Sequence, residues 1–203
     1  MPRFALLVVA FLLTACKDPA PPEALAEPGP EVEAAPAAKA NPTDDGPFRD
    51  LGWSAVSADG SAVLMQTHVG GGKCTRTCND TPQGKPVWTA EGCIGKRIDL
   101  RFVGNGCERV VVLHQLPKVA SGERWEQVAV GHVYRQAKLD YPIAAAGAVR
   151  DFKKIRGAGS TFYWLAGALD QPGPAPRYSA DGNAVEFVTL DGAQQSIPLV
   201  AGK

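Results

Sequence analysis

Short β-branched and aromatic runs, each closed off by a glycine turn, constrain this chain more than any other feature. The runs 62–68, 87–90, 97–103, 109–116, 125–135, 161–166, 184–190 and 195–200 carry Val, Ile, Phe, Tyr and Trp in lengths typical of strands. Asp-Gly, Asn-Gly and Gly-rich steps separate them, and such steps favour the tight turns of antiparallel hairpins. The pattern predicts an all-β domain, an antiparallel meander arranged as a sandwich, a partial barrel or a small propeller-like fold. One helix is expected within 143–156, where Val149, Phe152 and Ile155 recur three apart.

The turns show weak self-similarity. Ser57-Ala58-Asp59-Gly60-Ser61-Ala62-Val63-Leu64 recurs as Ser179-Ala180-Asp181-Gly182-Asn183-Ala184-Val185-Glu186. This SADGxAV pattern resembles the strand entry of the repeats in TolB-like β-propellers. The resemblance covers about nine residues per copy and implies stacked four-stranded blades. The spacing departs from that family. Gly60, Gly106, Gly159 and Gly182 are separated by 46, 53 and 23 residues, whereas propeller blades recur at a near-uniform 40–45 or so.

Four cysteines, Cys74, Cys78, Cys93 and Cys107, lie within 34 residues of one another, and a fifth, Cys16, stands far upstream. Two disulfides are expected, with three connectivities open. They would pin the Gly/Pro-rich segment 69–86, expected as a long loop. A metal site is the alternative use of the cysteines, because Cys74-x3-Cys78 has ligand-like spacing. Against it, Cys93 and Cys107 are fourteen residues apart.

The N-terminus carries an address. Arg3 precedes an unbroken apolar run over 4–13, and Leu13-Thr14-Ala15-Cys16 follows. Ten residues rise about 15 Å as a helix, half of a hydrocarbon core of roughly 30 Å, so the run suits a secretory signal rather than a membrane span. Leu13-Thr14-Ala15-Cys16 resembles the lipobox of bacterial lipoprotein precursors. That resemblance implies removal of 1–15 and a diacylglyceryl group on Cys16, whose two chains would hold the protein stably on a membrane. Lys17 rather than Asp follows the cysteine, which favours the outer membrane. Residues 16–46 then form an expected disordered tether rich in Pro, Ala and Glu. Over 17–46, two Lys stand against seven Asp/Glu, a net charge of −5. The remaining 47–203 is expected as one domain, with 18 Lys/Arg against 14 Asp/Glu, or +4. This mild charge and the export signal argue against nucleic acid as a partner.

Motifs for chemistry are sparse. His68, His114 and His132 lack metal-ligand spacing, and each is expected as a core or edge imidazole with one hydrogen-bond partner. No G-x-S-x-G elbow or phosphate-binding loop is present. Glu123 and Glu126 flank Trp125 at what reads as an exposed strand start. Arg150, Lys153, Lys154 and Arg156 make the densest positive run, a solvated face that could also dock an anionic partner. The sequence therefore points to an envelope lipoprotein, anchored through Cys16 and non-catalytic, which binds a protein or wall component and needs no cofactor. A hydrolase with a dispersed site and a cysteine-based metal protein are the alternatives.

Overall fold

The computed structural model describes residues 51–200. The expected signal segment 1–15, the lipid acceptor Cys16 and the tether 16–46 lie outside the described residues. The described chain is all-β. Two four-stranded antiparallel meanders come first. The first sheet runs β1 (Trp53–Val56), β2 (Val63–Gly70), β3 (Lys73–Asn79) and β4 (Pro86–Glu91). The middle sheet runs β5 (Leu100–Val103), β6 (Arg109–Leu113), β7 (Ala129–Arg135) and β8 (Lys138–Ala144). A hairpin follows, of β9 (Arg156–Ala158) and β10 (Thr161–Tyr163), and then a three-stranded sheet of β11 (Arg177–Tyr178), β12 (Ala184–Val188) and β13 (Gln194–Pro198). Every sheet keeps two open edges, so none closes into a barrel.

Strand β6 explains the layering. All five of its residues, Arg-Val-Val-Val-Leu, are buried, as expected for a short apolar run with core on both faces. Val110 and Val112 point with Val103 into a core shared with Leu64, Cys78 and Ile94 of the first sheet and its following loop. Val111 and Leu113 point with Phe102 and Val133 the other way, into a larger core with Phe162, Trp164, Phe187 and Leu199. Gly131 lies opposite Leu113, and a Cβ there would come within 2.6 Å of the Val112 carbonyl. Only glycine fits that approach.

Two expectations are corrected. Segment 69–86 is not one long loop. Lys73–Asn79 is an inner strand, paired with β2 on one side and β4 on the other. Its Cys74, Arg76 and Cys78 are buried while Thr75 and Thr77 are half-buried, a period of two carried by residues that are not conventionally apolar. The glycines confine the turn to Gly70–Gly72, all at positive φ. Segment 143–156 is not a continuous helix. It holds one α-helical turn, α1 (Ala145–Ala148), and a 3-10 turn at Phe152–Lys154. Between them the Asp191 carboxylate accepts the amides of Arg150 at 2.6 Å and Asp151 at 2.8 Å, bonds that compete with helix continuation.

The two SADG turns share one construction. Ser57 Oγ donates to Asp59 at 2.7 Å and accepts the Ala62 amide at 2.9 Å. Ser179 does the same with Asp181 at 2.6 Å and Ala184 at 2.9 Å. A third version, Thr189-Leu190-Asp191-Gly192-Ala193, is one residue shorter, with Thr189 Oγ1 donating to Asp191. Close to the first two, Tyr178 joins three strands: its hydroxyl donates to the Val56 carbonyl at 2.7 Å and accepts the Val103 amide at 3.0 Å.

Candidate functional site: a carboxylate–histidine–histidine relay

Three positions that are remote in sequence meet at one end of the middle sheet. Asp99 stands just before β5, His114 just after β6, and His132 within β7. The His114 amide donates to the Val130 carbonyl at 2.9 Å, which extends the β6–β7 ladder and fixes where the ring begins. Its Nδ1 lies 3.0 Å from Asp99 Oδ2, and its Nε2 lies 2.8 Å from His132 Nδ1. The Lys96 amide donates to the same Asp99 oxygen at 2.7 Å, and the Asp99 amide returns a bond to the Lys96 carbonyl at 2.9 Å. Gly95 makes this turn possible. Its φ is +67°, and a Cβ would fall 2.8 Å from Val112 and 3.1 Å from the Asp99 carboxylate.

Burial sets the electrostatics. The Asp99 side chain is 5% exposed and that of His114 20%. Burial opposes ionisation of Asp99, but the His114 and Lys96 hydrogen bonds and the charge of Arg101 outweigh it, holding the carboxyl below its ordinary range. Burial and the neighbouring His114 push His132 below the ordinary imidazole value, with Asp99 partly offsetting them. An ionised Asp99 only accepts, so His114 Nδ1 donates to it. Neutral His114 then accepts at Nε2 from His132 Nδ1–H, which leaves the lone pair of the unit on His132 Nε2. A proton arriving at His132 Nε2 can displace the Nδ1 proton onto His114. The resulting imidazolium would lie against the Asp99 carboxylate. The arrangement is a one-proton relay with a buried acid at its end.

The surroundings brace this unit. The loop 92–99 is held by the Cys74–Cys93 disulfide and by Gln66, whose side-chain oxygen accepts the Ile94 amide at 2.6 Å. Arg101 stacks on Trp53 at 4.3 Å from the ring centroid. A cavity of about 230 Å³ adjoins Asp99 and His114 and is lined also by Lys96, Ile98, Pro117 and Lys118. His132, whose Nε2 carries the lone pair of the unit, is not among the residues that line this cavity.

The other residues singled out from sequence separate in space. Cys74 pairs with Cys93 and Cys78 with Cys107, at Cα separations of 4.9 and 6.2 Å. The second pair ties β3 to the 3-10 turn Asn105–Cys107 between β5 and β6, where Trp88 Nε1 also donates to the Cys107 carbonyl at 3.1 Å. Paired in this way, the sulfurs offer no thiolates to a metal. Among the described residues no group of three or more His, Cys, Asp or Glu is placed to hold a metal ion. Trp125 opens a 3-10 turn rather than a strand, and it stacks on Phe162 at 5.2 Å. Glu123 caps the local turn by accepting the Ala120 amide at 3.0 Å. Arg150, Lys153, Lys154 and Arg156 are all exposed. His114 has two side-chain partners where one was expected, and Asp99 was not anticipated from sequence. The His114–His132 pairing depends on the β6–β7 register, set after a connection that runs from residue 114 to 128.

Among the described residues no helix is long and apolar enough to cross a membrane. Comparison with known proteins finds no matching family model, no matching curated protein and no matching solved structure.

Proposed function

We propose that this chain is a membrane-anchored envelope lipoprotein whose disulfide-braced β domain serves as a non-catalytic binding or structural module. The observation that carries this reading is the division of labour among the cysteines. Cys16 closes the lipobox-like Leu13-Thr14-Ala15-Cys16, and the other four are taken up in Cys74–Cys93 and Cys78–Cys107. Disulfides persist in extracytoplasmic compartments, so the cystines agree with the export that the N-terminus implies. In this reading the lipid on Cys16 is the membrane contact, at the outer membrane, and the partner is an envelope protein or a wall component. The test is Cys16→Ser. The variant should accumulate unlipidated and lose lipid-dependent membrane anchorage; anchorage equal to that of the unaltered chain would overturn the reading. Crosslinking of the lipidated protein in its own envelope should then recover one specific partner.

A second reading, an extracytoplasmic hydrolase, is favoured by the Asp99–His114–His132 relay, because an imidazole oriented through a second imidazole by a buried carboxylate is a geometry that general-base catalysis uses. Turnover in a panel of ester, amide and glycoside substrates, abolished by His132→Ala in a folded protein, would establish it over the first. No turnover across the panel would remove it.

A further inference from the structure

The first sheet has an inner face packed on the middle sheet and an outer face with a different chemistry. Along each strand the inner positions hold Leu64, Gln66, Arg76 and Cys78, all buried. The outer positions between them are Met65 and Thr67 on β2, Thr75 and Thr77 on β3, and Val87 and Thr89 on β4. Val56 at the β1 edge continues the surface. Val56 is 48% exposed, Met65 36% and Val87 51%. No charged residue interrupts the middle of this face. Lys73 and Glu91, both exposed, stand at one end of it. Solvent faces elsewhere in the molecule are charged in the usual way, as where Arg177 pairs with Glu186 across β11 and β12 at 3.5 Å.

We propose that this outer face is an interface between two copies of the chain, packed sheet on sheet about a two-fold axis. A charged partner would have to leave water against a surface with no counter-charge to offer, at a cost of several kcal/mol per ion. An uncharged, flat partner carries no such penalty, and a second copy of the same face meets both conditions. Two antiparallel sheets pack face to face about 10 Å apart with their strands near −30°, and an isologous pairing needs only one self-complementary patch. The apolar and hydroxyl-bearing centre with charge confined to its end matches the usual core and rim of interfaces. Four strands about 4.8 Å apart and about six residues long give a face of roughly 400 Å², so two such faces together approach the lower end of the range for specific interfaces.

Sedimentation equilibrium of the full chain in density-matched detergent tests this, run from about 1 μM to about 500 μM protein. The expected result is a monomer–dimer equilibrium that Thr77→Lys and Met65→Lys each weaken at least tenfold, by placing like charges against each other. At about 1 μM, where the dimer adds least, each variant should keep the melting temperature of the unaltered chain. Ser196→Lys, on the last sheet, should leave the equilibrium unchanged. A chain that stays monomeric across the range overturns the proposal, as does a dimer that survives both substitutions in folded protein.

Discussion

The two cores on either side of the middle sheet are held together by different means. Toward the first sheet, the core has eight buried apolar side chains, of which two are the cystine halves Cys78 and Cys107. Buried polar groups crowd around it: Gln66, Arg76, Asn79 and Asp99. Arg76 is tied down by donating to the Glu91 and Ala137 carbonyls, at 3.0 and 3.2 Å, and lies over the Tyr134 ring at 5.8 Å. On the far side, eighteen buried apolar residues include Phe162, Trp164, Leu165 and Phe187, with no disulfide among them. The contrast shows one chain using two strategies. Where apolar volume is plentiful, packing alone closes the core. Where it is scarce, covalent links and polar ties to the backbone take over, as they do in small domains that cannot build a sufficient core.

The sharpest way to break this comparison is at Trp164. It is fully buried, meets Phe187 edge-on at 5.6 Å, and its Nε1 donates to the His114 carbonyl at 2.6 Å. Trp164→Ala should cost about 3–5 kcal/mol through lost burial and the cavity left behind. Domains of this kind have roughly 5–15 kcal/mol in total. Urea unfolding at neutral pH should show a third or more of the stability gone for a domain of about 10 kcal/mol. A loss under about 1 kcal/mol would mean that the far core does not depend on its largest side chain.

Next in size are the cystines. Cys74–Cys93 spans 19 residues and Cys78–Cys107 spans 29. Chain entropy alone assigns each roughly 3–4 kcal/mol, with only a few tenths between them. Position should separate them more than loop length does. Cys78–Cys107 joins the first sheet to the β5–β6 turn of the middle sheet, whereas Cys74–Cys93 joins β3 to the loop that follows β4. Replacing Cys78 and Cys107 by Ala should therefore strip hydrogen-exchange protection from β2 and β3 while β12 keeps its own. Equal loss of protection in β3 and β12 would show that the two cores unfold as one unit and that the contrast is only architectural.

How much of this was legible in the sequence follows the same divide. Strand β6 was evident because burial on both faces demands an apolar run, and Val110-Val111-Val112 provides it. The Ser-Ala-Asp-Gly turns were evident because the serine, the aspartate and the glycine each have a fixed role in one hydrogen-bonded loop. Strand β3 was missed, since its inward residues are Cys, Arg and Cys and its outward ones Thr; a buried arginine held by carbonyls leaves no hydrophobic period to detect. Strand β8 was missed for the opposite reason. It is an edge strand with Lys138, Leu139, Asp140, Tyr141 and Pro142 all exposed, and an edge tolerates proline. The relay was invisible because register, set by tertiary pairing, decides which residues of two strands touch.

The smallest expected effect probes the polar side through pH. His132 has its folded value pushed below the ordinary 6.5 by burial and by His114, so the unfolded chain takes up its proton first on acidification. Stability from this group is thus complete above about pH 6.5 and is lost as the pH falls from there toward the folded value. Protonating both rings would also set two N–H groups against each other across the 2.8 Å His114–His132 contact, which then opens. Asp99, held below its ordinary 3.8 with His114, Lys96 and Arg101 overriding burial, adds a second and more acidic loss, beginning below that value. Urea midpoints between pH 5 and 7.5 should decline with acid in the unaltered chain and decline less in His132→Phe, by an amount smaller than loss of either cystine. Hydrogen exchange at pH 5 should place the early opening at β5–β7 beside the first sheet, with β12 unaffected. If the two proteins follow the same pH profile between pH 5 and 7.5, the His132 ring is not the acid-sensitive tie on the polar side.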